Sequence, residues 1–132
     1  GAPCGGMGGG GVGRGYKGEF RRWSLYPGRY HHHVVEADCF AVRIQRAGKV
    51  CATVLSATPP SPSTPLSAWN YSLPRDSGTY HACFPLSWTV YEDPLPELRV
   101  TIKQISPFIP HNYSESSLPT VGFEVLVENK VF

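Results

Sequence analysis

The feature that most constrains this chain is the concentration of glycine at its start. Ten of the fourteen glycines fall within the first eighteen residues of the 132. Glycine loses the most backbone entropy on ordering, so a folded chain uses it where a positive φ or a close approach is needed. Large apolar side chains interrupt the run, unlike in a flexible linker; they are Met7, Val12, Tyr16, Phe20 and Trp23. We therefore predict a shaped glycine-rich loop over residues 1–18 that packs against another part of the protein.

The glycine run also contains two G-x-G-x-x-G patterns, at residues 8–13 and 13–18. Dinucleotide binding needs a strand before the glycines and a helix after them. Only a few residues precede the run, and residues 19–26 alternate at period two, which indicates a strand. Because the preceding strand and the following helix are both missing, the sequence argues against a nucleotide site.

Composition narrows the fold and the partners. Thirteen prolines accompany the glycines, charged residues make up 17% of the chain, and the net charge is only +2. This profile favours β structure with turns in one domain, and no nucleic-acid partner is expected. The basic cluster of Arg14, Lys17, Arg21 and Arg22 is more typical of a solvated face than of an anion site. The chain opens on Gly1 rather than Met, so we expect a piece of a longer protein.

Alternating segments predict six or seven strands. The clearest pair, 38–46 and 49–57, should turn at residues 46–49 and place Cys51 opposite Ile44. A proline-rich loop is predicted over 58–78, because its prolines suit no sheet interior. Further strands are expected at 79–84, 86–92, 98–103 and 121–127, and no helical periodicity lasts three turns. The predicted fold is an all-β antiparallel β-sandwich, incomplete because the chain is a fragment.

Metal, cofactor and catalytic signals are weak. His31 and His33 would share a strand face with Glu36 or Asp38 nearby, yet three consecutive histidines are a poor metal pattern. No metal and no cofactor are therefore predicted. The cysteines have no C-x-x-C spacing, and four reduced thiols are the simpler interpretation. No carboxylate pair for glycoside hydrolysis is evident either.

The aromatic residues offer two interpretations. Six aromatic side chains could stack on the C–H face of a sugar: Trp23, Trp69, Tyr71, Tyr80, Trp88 and Tyr91. Trp88 and Tyr91 are more easily read as core residues, whereas Trp69 follows the proline-rich segment and is the better candidate for an exposed contact.

Several strings, in preserved order, resemble the start of the N-terminal domain of non-lysosomal glucosylceramidases (bile acid β-glucosidase type), in glycoside hydrolase family 116. They are GGMGGG at 5–10, RGYKGEF at 14–20, RW at 22–23, AWN at 68–70, YHACFPLSWTVY at 80–91, ISPFIPHNY at 105–113 and SSLP at 116–119. The similarity runs nearly from end to end, and it covers only the first part of that domain.

The resemblance implies a β-sandwich packed on a C-terminal (α/α) catalytic barrel, which is absent from this chain. Members of the family are retaining β-glucosidases that cleave glucosylceramide and other β-glucosides at the cytosolic face of endoplasmic reticulum and Golgi membranes. The resemblance thus implies three partners: the barrel, a glycolipid substrate and a membrane surface. The nucleophile and the acid/base residue belong to the barrel, so no catalytic residue is expected here.

Within this resemblance, the glycine-rich loop is expected to lie against the barrel mouth. The substrate-cleft candidates are Gly10, Arg14, Glu19, Trp23 and Trp69. The rival hypothesis is a free-standing carbohydrate-binding or interaction module that works through Trp69 without catalysis.

Overall fold

The structure, a computed structural model, describes residues 3–26, 28–57 and 59–131, with the side chains of Pro3 and Cys4 left aside. Its strands form three antiparallel sheets. The strands are β1 (Pro3–Cys4), β2 (Gly11–Arg14), β3 (Phe20–Ser24), β4 (His31–His32), β5 (Ala41–Arg46), β6 (Lys49–Val54), β7 (Gly78–Cys83), β8 (Leu86–Glu92), β9 (Leu98–Ile105) and β10 (Gly122–Asn129). We call β1–β4 the N-terminal sheet, β5–β6 the central hairpin and β7–β10 the C-terminal sheet. The all-β antiparallel prediction is confirmed.

The C-terminal sheet is the most regular part of the molecule. Its order is β10-β9-β8-β7, each pair antiparallel and without a register shift. On β9, Leu98, Val100 and Ile102 are buried, and the alternate side chains point to the opposite face. The predicted alternation of this strand is confirmed, because a half-buried strand places every second side chain in the core.

The central hairpin forms the second layer. Ile44 pairs with Cys51, as the predicted register required, and the turn falls at Ala47 and Gly48. Phe40, Val42, Ile44 and Cys51 pack against the core. The core consists of buried residues from the C-terminal sheet and from the segments that pack around it. They are Leu55, Leu73, Tyr91, Leu95, Leu98, Val100 and Ile102. Burial of these apolar side chains is the main stabilising contribution to the fold.

Strand β10 lies at one edge of the C-terminal sheet. Val125 and Val127 pair with Ile102 and Val100, so they share the inner face of the sheet with these core residues. They are nevertheless 49% and 53% exposed. The central hairpin therefore covers the middle of the inner face and leaves this edge open.

The N-terminal sheet differs from the predicted glycine-rich loop. Gly11–Arg14 pairs with β3, and the register shifts between Gly13 and Arg14. Part of the 1–18 segment is therefore a strand, because the backbone of its glycines can approach β3 closely enough to form hydrogen bonds along its edge. Residues 1 and 2 of that segment lie outside the described residues.

The proline-rich segment is mostly exposed but is not extended throughout. A 3₁₀ turn spans Pro65–Ala68, and Leu73 is buried in the core at 7% exposure. Thr58, at the start of the predicted loop, lies outside the described residues. Leu73 fixes the segment to the fold because its side chain leaves water for the apolar core.

A short helix, α1 (Tyr113–Ser116), is the one α-helix within the described residues. The Asn112 side chain caps it by accepting a hydrogen bond from the backbone N–H of Glu115 at 3.1 Å. Over the described ranges, no helix has the length and apolar character needed to cross a membrane.

Candidate functional site

A cavity with a volume of about 450 Å³ opens beside the glycine segment. We call it the glycine cleft. Backbone of Gly9, Gly10 and Gly11 forms one wall, and Phe20 and Trp23 of β3 form another. The lining is completed by residues 37–39 and 119–121 and by Gly5, Val12 and Leu25. Gly10 and Trp23, which the sequence nominated separately, therefore lie in the same cavity.

Gly10 has a conformation and a neighbour that exclude other residues. Its φ is +81°, and a Cβ placed there would meet the backbone oxygen of Ser24. Both the left-handed backbone and the close approach require glycine. The narrow wall of the cleft therefore depends on this residue.

Trp23 is held in a defined orientation. Its indole N–H donates to the backbone oxygen of His33 at 2.9 Å, and its ring stacks on the His33 imidazole at 5.9 Å between centroids. The indole borders the glycine cleft on one side and a shallower hollow with Tyr26 and His31 on the other. A fixed, half-buried indole is a suitable platform for the C–H face of a sugar ring.

Arg14 lies in the interior rather than in the cleft. It is 6% exposed, and its guanidinium donates to the backbone oxygen of Gly18 at 3.1 Å and to the Tyr91 hydroxyl at 3.5 Å. The guanidinium also stands over the rings of Phe20 and Phe40, 5.4 and 5.2 Å from their centroids. Arg14 thus connects the N-terminal sheet to Tyr91 of the C-terminal sheet and to Phe40, which precedes the central hairpin.

Tyr91 completes this buried cluster. Its hydroxyl donates to the backbone oxygen of Leu55 at 3.1 Å. Burial raises the pKa of Tyr91, and the neighbouring Arg14 opposes part of that rise. A Cβ on Gly18 would collide with the same Tyr91 hydroxyl, and Gly18 has a φ of +90°. Glycine at this position therefore lets the turn between β2 and β3 settle on the core.

Glu19 and Trp69 do not line the glycine cleft. Glu19 is 6% exposed and faces a second, smaller cavity. Trp69 follows the 3₁₀ turn and is 49% exposed. Of the five nominated residues, the cavity itself brings together Gly10 and Trp23.

Sequence reasoning missed the opposite wall, which Asp38, Cys39 and residues 119–121 provide. The backbone N–H of Met7 donates to the oxygen of Ser116, the last residue of α1, at 2.8 Å. Beyond α1, Leu118 lies against Gly6 and Pro119 lies against Gly9. The SSLP motif at 116–119 was the one sequence feature that pointed to this region, but a motif does not show which other segment it contacts.

The histidine run does not assemble a metal site. No group of three His, Cys, Asp or Glu side chains suited to a metal ion occurs in the part of the chain that the structure describes. His31 is exposed on β4, and His33 stacks on Trp23. Cys39, Cys51 and Cys83 are free thiols, and the Cys4 side chain lies outside those described.

The fold and the cleft define an all-β domain with an aromatic-walled cavity and with a buried guanidinium at the junction of its sheets. A family model described as beta-glucosidase 2, glycosyl-hydrolase family 116 N-term, matches residues 1–131. The chain belongs to this family of glycoside hydrolase N-terminal domains.

Proposed function

We propose that this chain is the N-terminal β-sandwich portion of a retaining β-glucosidase that hydrolyses glucosylceramide to glucose and ceramide. Its role is to support the C-terminal (α/α) catalytic barrel and to wall one side of the substrate cleft. Membership of the family supports the glycosidase assignment. The glycine cleft is the observation that carries the proposed contact with substrate.

The chemistry assigned to this chain is positioning. The Trp23 indole presents an apolar face to a pyranose ring, and Gly10 lets backbone approach the sugar without a side chain between them. The two carboxylates that cleave the glycosidic bond are assigned to the barrel, as the family resemblance implies. The parent enzyme is proposed to act at the cytosolic face of endoplasmic reticulum and Golgi membranes.

The rival function is a carbohydrate-binding or interaction module that works without catalysis. The exposure of Trp69, 49%, is the observation in its favour, because an aromatic platform must be accessible to bind sugar. This module would not depend on Trp23 or on a partner barrel.

The test uses the full-length gene product and release of glucose from glucosylceramide and from a fluorogenic β-glucoside. We expect Trp23→Ala to lower kcat/KM about 3- to 10-fold, since an aromatic contact contributes about 0.5–1.5 kcal/mol. Trp23→Phe should retain most activity because it keeps an aromatic face.

Trp69→Ala is the matched control, because Trp69 does not line the glycine cleft. Unchanged activity in that variant supports the proposal. Unchanged kcat/KM in Trp23→Ala would contradict the cleft role. Sugar binding without glucosidase activity, lost in Trp69→Ala, would favour the module.

A further inference from the structure

The connection between β3 and β4 is exposed along its whole described length. Every described residue from 25 to 34 is exposed, and Pro27 lies outside the described residues. The backbone N–H of Arg29 donates to the oxygen of Tyr26 at 3.0 Å, which closes the turn. A Cβ placed on Gly28 would meet no described atom within 4 Å. We call residues 25–34 the aromatic hairpin, which therefore projects from the N-terminal sheet into solvent.

The aromatic hairpin carries several large apolar side chains on its surface. Leu25, Tyr26 and Tyr30 are 64%, 74% and 69% exposed, and Val34 is also exposed. Single exposed apolar residues are ordinary on a protein surface, whereas a group of them marks an interaction surface. Because these four side chains lie within ten residues of one hairpin, we interpret them as such a group.

A hollow of about 290 Å³ lies along the aromatic hairpin. Trp23, Leu25 and Tyr26 give it apolar walls, and Arg29 and His31 also line it. Trp23 and Leu25 line the glycine cleft as well. The exposed apolar group therefore adjoins the cleft that is proposed to receive substrate.

The charge of this part of the chain has one sign. Residues 20–35 contain three arginines and three histidines and no acidic residue. Arg21 pairs with the buried Glu19 at 3.5 Å. Arg22 and Arg29 form no ion pair within the described ranges. Two guanidinium groups without a carboxylate partner therefore accompany the apolar side chains and attract an anionic partner.

The combination of apolar and basic side chains decides which anionic partner fits. Tyrosine and tryptophan favour the head-group level of a bilayer, because one end of the side chain is apolar and the other stays hydrated. Arginine lays its hydrocarbon stem along apolar surface and keeps its guanidinium at the phosphates. Leu25 and Val34 gain from leaving water but offer no ring on which a nucleic-acid base stacks. A net charge of +2 also provides no extended field for nucleic acid.

We propose that the aromatic hairpin contacts the surface of a bilayer that contains anionic phospholipid. Leu25, Tyr26 and Tyr30 enter the boundary between head groups and acyl chains, and Arg29 binds a lipid phosphate. The glycine cleft then lies beside the membrane, where the head group of a glycolipid reaches it while the lipid chains stay in the bilayer. This contact rests on the proposed function for its glycolipid substrate, whereas its residues are chosen by exposure and charge alone.

The test measures co-sedimentation of the full-length gene product with two kinds of vesicle. One is phosphatidylcholine alone, and the other is phosphatidylcholine with phosphatidylserine at a molar ratio of about 7:3. We expect tighter binding to the anionic vesicles, by a margin that shrinks at high salt because charges on exposed side chains are screened.

Two changes in the aromatic hairpin separate its apolar and basic contributions. Tyr26→Ser combined with Tyr30→Ser should weaken binding to anionic vesicles about tenfold or more, because two exposed rings no longer leave water. Arg29→Gln should weaken binding to anionic vesicles about fivefold and leave binding to neutral vesicles unchanged.

Two exposed residues elsewhere provide matched controls. Tyr113 is 70% exposed on α1, and Arg43 is exposed on β5. Tyr113→Ser and Arg43→Gln should both bind vesicles like the wild type. If the double tyrosine variant fails to fold, Arg29→Glu replaces it and should weaken binding to anionic vesicles more than Arg29→Gln does.

Activity measurements distinguish membrane contact from a structural role. In the variants of the aromatic hairpin, the Tm and the kcat/KM for a soluble fluorogenic β-glucoside should match the wild type, whereas hydrolysis of glucosylceramide in anionic vesicles should fall. A gene product that binds vesicles through the hairpin but has no glucosidase activity would contradict the proposed function and support the membrane contact.

Three outcomes would overturn the membrane contact. They are unchanged vesicle binding in the double tyrosine variant, equal binding of the wild type to neutral and anionic vesicles, and a lower Tm with unchanged vesicle binding. The last outcome would instead place the hairpin against the catalytic barrel. Tighter binding to a single-stranded oligonucleotide than to vesicles, lost in Arg29→Gln, would assign the hairpin to nucleic acid and would also contradict the membrane contact.

Discussion

The N-terminal and C-terminal sheets are both four-stranded and antiparallel, yet they are held in different ways. Strands β7–β10 have six to eight residues each, whereas β1–β4 have two to five. The C-terminal sheet buries apolar side chains such as Val100 and Ile102. The N-terminal sheet relies on close backbone approach at glycines and on the buried guanidinium of Arg14.

The two sheets also differ in the cavities that they border. Regular alternating strands fill their interior with side chains. The glycine cleft lies beside the glycine segment and β3, and Arg21 of β3 lines the second, smaller cavity. A third cavity reaches Gly78 and Tyr91 of the C-terminal sheet, so open space is not confined to one sheet. The candidate cleft therefore lies on the sheet whose strands are short and rich in glycine.

The largest expected effect tests the C-terminal sheet. Ile102→Ala should lower the free energy of unfolding by about 2–5 kcal/mol, because Ile102 is fully buried and its loss leaves a cavity. Denaturant unfolding of the full-length product, with hydrogen exchange over residues 98–105, would measure it. Ile102→Val should cost about 0.5–1.5 kcal/mol. Equal, small losses in both variants would contradict the placement of the core.

A smaller effect is expected at the junction between the sheets. Arg14→Met should lower the free energy of unfolding by about 1.5–3 kcal/mol, since Gly18 and Tyr91 lose a charged donor. Hydrogen exchange should then increase in the N-terminal sheet more than in the C-terminal one. Arg22→Met, at an exposed position of β3, is the control and should change stability by less than about 0.5 kcal/mol. An equal loss in the two variants would mean that the cluster does not join the sheets.

The smallest effect concerns alkaline pH. The pKa of Tyr91 is raised in the folded state, so the protonated hydroxyl stabilises the fold fully below the unfolded pKa of about 10, and this stabilisation is lost as the pH rises beyond it. Tyr91→Phe should lower the free energy of unfolding by about 0.5–1.5 kcal/mol at pH 7, because the bond to Leu55 is lost. Above pH 10, the free energy of unfolding of this variant should fall less steeply than that of the wild type. Tyr113→Phe, at an exposed tyrosine, should keep the steeper fall. Thermal unfolding of the full-length product between pH 8 and 11 would distinguish them.

The sequence predicted the regular strands well. Period-two alternation located β9 and the central hairpin, and the turn at 46–49 determined the register that places Ile44 opposite Cys51. Strand β2 was missed, because a glycine-rich segment has no side-chain alternation to reveal pairing. Leu73 was also missed, since a single apolar residue after a run of prolines carries no period.

The candidate site was predicted only in part. Glycine density and a nearby tryptophan nominated Gly10 and Trp23, and both line the glycine cleft. Arg14 and Glu19 were expected to fix the shape of the glycine-rich loop, and neither lines this cavity. Arg14 bonds Gly18 and Tyr91, and Glu19 lines the second, smaller cavity. The register shift between Gly13 and Arg14 changes the face that Arg14 takes, so strand alternation could not place it.

The sequence by itself determined the fold class, the family and the pairing of neighbouring strands, because these depend on local periodicity, turn residues and ordered motifs. The tertiary structure alone decided that the segment after α1 meets the glycines and that Arg14 reaches Tyr91, 77 residues away. It also decided that Glu19 and Tyr71 line one cavity. Such contacts depend on how separate sheets pack, and packing between distant segments leaves no periodic signal in either one.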